Sequence, residues 1–482
     1  MSPMTHATTT QASNRSENPE GKRKRGPCLL KWLMLASLLH GLTYLLLLPP
    51  WMGEDEPWHV EYAHYIGRGY LPWGGRPISA ADLELYSPSQ AQVVREIGGI
   101  PREEILSTQE ALVGSMRTHD FWRRVDWAGN GDAALNFDQV SPYLTATHQP
   151  PLYYLIVGQI LRFSGGDVLV EMWLLRGFSL LAYLAVVLAS YELGRTLTRD
   201  KWLPLIAAVF VAWWPMHARQ AAVVNNDVLV KVFSSWSLVL SARIAVRGLS
   251  LRRFCIGLML ALGALLTKTT GAAALVPFGL SCVLSPTLRE GLLGRRRWLA
   301  PLVLLSILAA IPLLYSASNN PAIPRNTARL VERVSAVFAG GFFDEFARTS
   351  VGAFNWYIRD LPSVVHSLVA LFAGLSAALL LVGLLRRTGA EQPEFRRRVV
   401  LICAAGLLSQ ITLILLRGVS AGRYAMPMIA ALAVLCAAAW TRPFSEDRRR
   451  IGAGILVLAL VLFDGVFLWS GLVLNQYGVW GS

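Results

Sequence analysis

Charge is scarce in this sequence. Of its 482 residues only 16% are Asp, Glu, Lys or Arg, while 54% are hydrophobic. A water-soluble chain of that length needs more charge to cover its surface, which excludes a string of soluble domains. Cysteine is scarce as well: Cys28, Cys255, Cys282, Cys403 and Cys436. All lie in or at the ends of apolar blocks and none has metal-ligand spacing with another, so they read as small buried side chains. The large polar stretches carry no cysteine, and no disulfide framework is implied. A glycine-rich nucleotide loop is missing, which argues against a cytoplasmic nucleotide donor. No internal repeat is present, which weakens a transporter built from repeated halves.

What the chain has instead is apolar blocks of roughly 17–25 residues, the length that crosses a ~30 Å hydrocarbon layer. Residues 1–28 form a polar tail with Lys22, Arg23, Lys24 and Arg25 near its end, expected to be disordered and cytoplasmic. Residues 29–482 then read as one transmembrane domain. Spans are expected at 29–48, 173–193, 202–216, 228–246, 254–266, 271–284, 299–315, 364–385, 399–416, 424–440 and 451–472. The loops 195–201, 243–253, 289–297, 386–398 and 442–450 are strongly basic, and the loops between them are less so. That alternation follows the positive-inside rule and absorbs the net charge of +14, so no nucleic-acid partner is expected.

The apolar segment 150–163 would invert every later loop if it crossed the bilayer, so it reads as a helix at the outer interface. The expected fold is an all-α polytopic bundle of about eleven transmembrane helices. Its N-terminus is cytoplasmic, and two large outer loops cover 50–172 and 317–362. The aromatic residues of the first loop, Trp51, Trp58, Tyr62, Tyr65, Tyr70, Trp73, Trp122 and Trp127, suit a segment lying against the membrane interface.

An ionisable group in or beside a span is costly and therefore a functional candidate. Five places stand out, all assigned to the outer face. Glu54, Asp55 and Glu56 stand together before Pro57 and His59; a carboxylate there can act as general base or hold a divalent metal, or can simply favour a helix N-terminus. His148 precedes Gln149, Pro150 and Pro151, at the mouth of the interfacial helix, as phosphate ligand or as helix cap. Asn225, Asn226 and Asp227 open a span as helix caps or as a second acidic site. Lys268, flanked by Thr267 and Thr269, suits a phosphate anion or snorkels to headgroups. Arg423 and Tyr424 open a later span from the outer side, and the guanidinium suits a bidentate phosphate contact or an ion pair with an outer acid. Arg417, Arg325 and Arg359 are weaker candidates of the same kind. Carboxylates facing Lys, Arg and His suggest reaction on a lipid-linked phosphate.

These motifs, in this order, resemble the GT-C superfamily of integral-membrane glycosyltransferases, and within it a bacterial membrane-protein family grouped with that superfamily. The resemblance runs from about residue 30 to 440 and rests on Asp55-Glu56-Pro57-x-His59, His148-Gln149-Pro150-Pro151-Leu152-Tyr153-Tyr154, Asn226-Asp227, Lys268 and Gly422-Arg423-Tyr424-x-x-Pro427. It implies transfer of a sugar from a polyprenyl-phosphate carrier to a glycan, lipid or protein acceptor outside the bacterial plasma membrane, usually with inversion. Asp55 matches the base, with Glu56 as its substitute, and Asp227 matches the second acid. His59, His148, Asn226, Lys268, Arg423 and Tyr424 are the expected substrate ligands. Members differ in metal dependence, so a magnesium or manganese ion on Asp55 and Asp227 stays open. The large C-terminal soluble domain of several members does not follow the last span, so acceptor recognition is expected from the outer loops or a partner. A lipid-linked-glycan flippase and a non-catalytic envelope-assembly protein are the alternatives.

Overall fold

The computed structural model describes residues 26–53, 55–70, 100, 102–119, 146, 149–198, 201–287, 346, 349, 363–385, 393–417, 422–441 and 446–473. Among these residues every regular element is a helix. They are α1 (Gly26–Leu47), α2 (Glu56–Gly67), α3 (Arg102–Thr118), α4 (Leu152–Leu161), α5 (Val168–Leu197), α6 (Trp202–Ala212) and α7 (Pro215–Arg219), then α8 (Asp227–Arg247), α9 (Leu251–Thr267), α10 (Leu275–Val283), α11 (Ser363–Leu385), α12 (Pro393–Arg417), α13 (Ile429–Thr441) and α14 (Glu446–Val466).

Six helices among the described residues are long and apolar enough to cross a membrane: Leu29–Leu47, Val168–Leu197, Asp227–Arg247, Arg397–Leu415, Gly422–Thr441 and Arg450–Trp469. Helix also occupies the expected spans at 202–216, 254–266, 271–284 and 364–385, whereas 299–315 lies outside the described residues. The first helix begins at Gly26, inside the segment 1–28 expected to be tail. The longest helix, α5, begins at Val168 because Asp167 caps it, accepting from the Leu169 and Val170 amides at 2.8 and 3.1 Å. The apolar segment 150–163 folds as the ten-residue α4.

Packing separates an inside from an outside. Helix α8 lies at the centre, against α5, α9, α10 and α12, and α13 packs on α5, α6 and α11. Helices α1 and α14 instead turn large apolar side chains outward, with Leu46 71% exposed and Ile451 65% exposed. Such a surface suits lipid tails rather than water.

One expectation is corrected here. Trp51, Tyr62 and Tyr65 do not face a membrane interface; all three are fully buried. Apart from Trp58, every residue of helix α2 from Glu56 to Ile66 is buried, and the helix packs on α4. The two helices approach closely at Gly67 and Gly158. A Cβ on Gly158 would stand 2.8 Å from the Ile66 side chain, so the contact requires a residue without one. Tyr62 packs instead on Tyr154, with ring centroids 3.9 Å apart and planes tilted by 33°.

The turn between α1 and α2 is held by one buried ion pair. Arg176, two turns into α5, donates to both oxygens of Glu56, at 2.8 Å through Nε and 2.7 Å through Nη2. Its remaining donors reach the carbonyls of Leu48 and Pro49 at 2.7 and 2.8 Å. Glu56 also accepts from the backbone amides of Gly53 and Val224, each at 3.1 Å. Neither side chain is exposed. A pair this well satisfied offsets the cost of taking both charges out of solvent, but removing one partner strands the other. Arg176→Met is therefore expected to lower stability by about 3–5 kcal/mol, read as the unfolding midpoint of the purified protein in detergent. An unchanged midpoint would contradict the role given to this pair.

Candidate active site

Four charged side chains from distant parts of the chain meet at one end of the bundle. That end carries the close of α1, the starts of α2, α5 and α8, the close of α9 and the 3-10 segment Gly422–Met428 that leads into α13. Helices α8 and α9 form an antiparallel hairpin, so the first residue of one and the residue after the other come to the same level. The first is Asp227 and the second is Lys268, and Lys268 Nζ donates to Asp227 Oδ1 at 2.5 Å. Both charges have the polarity their helix ends favour: an anion at an N-terminus and a cation at a C-terminus.

The second pair joins Asp55 to Arg423. Arg423 Nη2 donates to Asp55 Oδ2 at 3.2 Å. Asp55 precedes α2 in the left-handed region, with φ 57° and ψ 13°. Asp tolerates that region better than most residues, yet it is a sparsely populated conformation that surrounding contacts must enforce. Glu56, anchored on Arg176, supplies that constraint. Asp55 is also the most open member of the cluster: its side chain is 31% exposed, against 10% for Arg423, 8% for Lys268 and 4% for Asp227.

Tyr424 lies between the two pairs. Lys268 Nζ stands 4.8 Å from its ring centroid, and the Arg423 guanidinium carbon stands 5.3 Å from it. Two cations share one aromatic ring, which fixes their spacing. Gln410 Nε2 donates to the Tyr424 carbonyl at 2.6 Å, and the Gly422 amide donates to Thr349 Oγ1 at 2.6 Å. These contacts hold the 3-10 segment. On the other side, the chain after Lys268 folds tightly onto α9. A Cβ on Gly271 would lie 2.1 Å from the Ala264 carbonyl oxygen, so a glycine there lets the chain turn back beneath the lysine.

The remaining candidates divide. Asn226 is fully buried, donating to the Thr267 carbonyl at 3.2 Å and to Gln149 Oε1 at 3.4 Å, so it ties α8 to α9 and to the approach of α4. Asn226 is the residue that caps α8 but makes no side-chain cap bond; Asn225 Oδ1 accepts from the Asp227 amide at 2.9 Å. His59 comes to the site edge on the first turn of α2, with Nδ1 2.7 Å from the Tyr154 hydroxyl. Glu56, expected as a substitute base, is corrected to a structural role, because both oxygens are buried against Arg176 and backbone amides. His148, Glu54, Arg325 and Arg359 lie outside the described residues, as does the side chain of Arg417.

A divalent metal on Asp55 and Asp227 would have to compete with the cations already paired to them, although Asp227 Oδ2 is buried without a hydrogen-bond partner among the described residues. Each carboxylate already faces a cation, at 3.2 Å and 2.5 Å, and a metal ion would have to displace or abut both. Among the described residues no group of three or more His, Cys, Asp or Glu is placed to hold one. The cluster is chemically a pair of carboxylates facing a pair of cations, a surface that can exchange a carboxylate partner for a phosphate. Arg176, which supports the site, belongs to none of the five sequence motifs, whereas Tyr154 closes the second of them. For Arg176 a signal existed, a lone guanidinium within an apolar block.

No protein-family model matches the chain, and no curated protein matches it. Among solved structures it is similar to the archaeal oligosaccharyltransferase AglB from Archaeoglobus fulgidus in complex with an inhibitory peptide and a dolichol-phosphate. The identity is 13%, the match covers 93% of this chain and 56% of that one, and the TM-score is 0.46. It is likewise similar to an Archaeoglobus fulgidus oligosaccharyltransferase in the apo form, at 14% identity, 95% and 55% coverage and a TM-score of 0.43. The chain thus spans little more than half the length of the proteins it matches.

Proposed function

We propose that this chain is a GT-C-type glycosyltransferase of the bacterial plasma membrane. It moves a sugar from a polyprenyl-phosphate donor to an acceptor at the outer face. The observation that carries this reading is the convergence of Asp55 and Arg423 with Asp227 and Lys268 around Tyr424. In the proposed reaction Asp55 takes the proton from an acceptor hydroxyl. The acceptor oxygen forms a bond to the anomeric carbon as the bond from that carbon to the phosphate oxygen breaks. The electron pair leaves with the phosphate, whose charge Arg423 and Lys268 neutralise. Asp227 holds Lys268 in place and keeps the buried ammonium paired before the donor arrives.

Arg423 has a double role. Without donor it offsets Asp55; with donor it turns to the phosphate, which leaves Asp55 its basicity at the moment an acceptor is present. Lys268 and Arg423 are poorly exposed, so their field on a bound phosphate is weakly screened.

Purified protein in lipid vesicles with a polyprenyl-phosphate sugar is expected to form a glycoside. Asp55→Asn should slow that transfer by about 10²–10⁴-fold while donor binding persists. Unimpaired transfer by Asp55→Asn would overturn the base assignment. A wild-type protein that carries the lipid across the bilayer and forms no glycoside would overturn the enzyme reading in favour of a flippase.

The cations give a second expectation. Lys268→Met and Arg423→Met should each weaken donor binding by about tenfold or more, as expected for a lost charge-assisted hydrogen bond. Lys268→Met also strands Asp227, so Asp227→Asn combined with Lys268→Met should recover thermal stability without recovering donor affinity. Recovery of both would show that Lys268 acts only on structure.

A further inference from the structure

Helix α4 contributes a side chain to the site that the proposed chemistry has not used. Tyr154 is fully buried, and its hydroxyl lies 2.7 Å from His59 Nδ1. Its ring is fixed from two sides, by Tyr62 at a centroid distance of 3.9 Å and by Tyr153 at 5.1 Å and 84°. His59 is tied to Asp55 through the backbone. Its amide donates to the Asp55 carbonyl at 3.1 Å, which places the imidazole one helical turn from the proposed base.

We infer that Tyr154 is a positioning residue that fixes His59 as the neutral tautomer protonated on Nε2, so that His59 offers the substrate a hydrogen-bond donor and leaves proton removal to Asp55. This rests on the reading of Asp55 as base.

The argument is a count of protons. A phenol has one proton to donate, and the hydrogen-bond partner shown for the Tyr154 hydroxyl is His59 Nδ1. If Nδ1 carried a proton, it would donate to the phenol oxygen and the phenol proton would be buried without an acceptor, the costly arrangement. If the phenol donates, the phenol and Nδ1 are both satisfied, and the proton of a neutral imidazole belongs on Nε2. Ionisation of the phenol offers no escape. Burial first, then the neighbouring Tyr153 and Tyr62, then the carboxylates Asp227 and Asp55, push its pKa well above the usual tyrosine value. His59 therefore has its Nδ1 lone pair engaged and is a poor proton acceptor on that side. The division of labour follows: the exposed carboxylate takes the proton, and the imidazole donates to a substrate oxygen.

The test uses full-length protein labelled with 15N-histidine in lipid nanodiscs, with His59→Gln to assign the signals. At neutral pH, His59 is expected to show a protonated Nε2 and an unprotonated Nδ1. Tyr154→Phe should lose that bias and lower the transfer rate by about tenfold, the order expected for one hydrogen bond, with donor affinity unchanged. Tyr62→Phe is the control, since its hydroxyl has no hydrogen-bond partner among the described residues; it should change neither readout. A His59 protonated on Nδ1 in the wild type, a Tyr154→Phe spectrum identical to wild type, or an equal shift in Tyr62→Phe would overturn the inference. Should Tyr154→Phe fail to fold, the wild-type tautomer still decides. The expected tautomer in a protein that transfers no sugar would count against the glycosyltransferase reading and leave the Tyr154 assignment standing.

Discussion

The site depends on the buried pair of Glu56 and Arg176. Arg176 gathers the carbonyls of Leu48 and Pro49, where α1 ends, and Glu56 gathers the amides of Gly53 and Val224. Gly53 and Glu56 flank Asp55, and Val224 lies three residues before Asp227. A single ion pair thus fixes the backbone leading to both acidic residues, although they are far apart in the chain. In a low-dielectric interior neither charge can leave without stranding the other. That is why the turn before α2 can hold Asp55 at a positive φ: the unfavourable backbone angle is opposed by contacts worth more than it costs.

The same electrostatic rule shapes the rest of the cluster. Each carboxylate faces one cation, and the two cations share the Tyr424 ring. Asp227 and Lys268 are deep and sit at helix ends of matching polarity, so they form the fixed half. Asp55 and Arg423 are more open, and their contact is longer, so they form the half a ligand can rearrange. In the proposed reaction an incoming phosphate competes with Asp55 for Arg423, and that competition would couple donor binding to release of the base. Helix α4 closes the site from the side through Tyr154 and His59 and, by way of Gln149, meets Asn226.

Much of this was legible in the sequence because costly residues stand out against apolar blocks. Asp55, Asp227, Lys268 and Arg423 were found by that rule, and they meet. The same rule marks Arg176, the fourth residue of the expected span 173–193, as a lone guanidinium inside an apolar block. The same signal marks His40 and Asp464, 2.7 Å apart between α1 and α14, and Lys231, which donates to Gln220 within the bundle. Partner identity was not legible, since nothing local to Glu56 says that its counterion lies 120 residues away. Trp51, Tyr62 and Tyr65 depart from expectation for a related reason. Tyr and Trp suit a membrane interface and a buried stack equally well, and only packing of α2 on α4 decides between them.

The most direct test of the central claim, that Arg423 is shared between Asp55 and a bound phosphate, is a double-mutant cycle on affinity for a polyprenyl phosphate lacking a sugar. Wild type, Asp55→Asn, Arg423→Met and the double variant are compared in the same vesicles. Asp55→Asn is expected to tighten binding by freeing the guanidinium, Arg423→Met to weaken it, and the double variant to match Arg423→Met alone. Additive effects of the two substitutions, or no tightening in Asp55→Asn, would contradict the account.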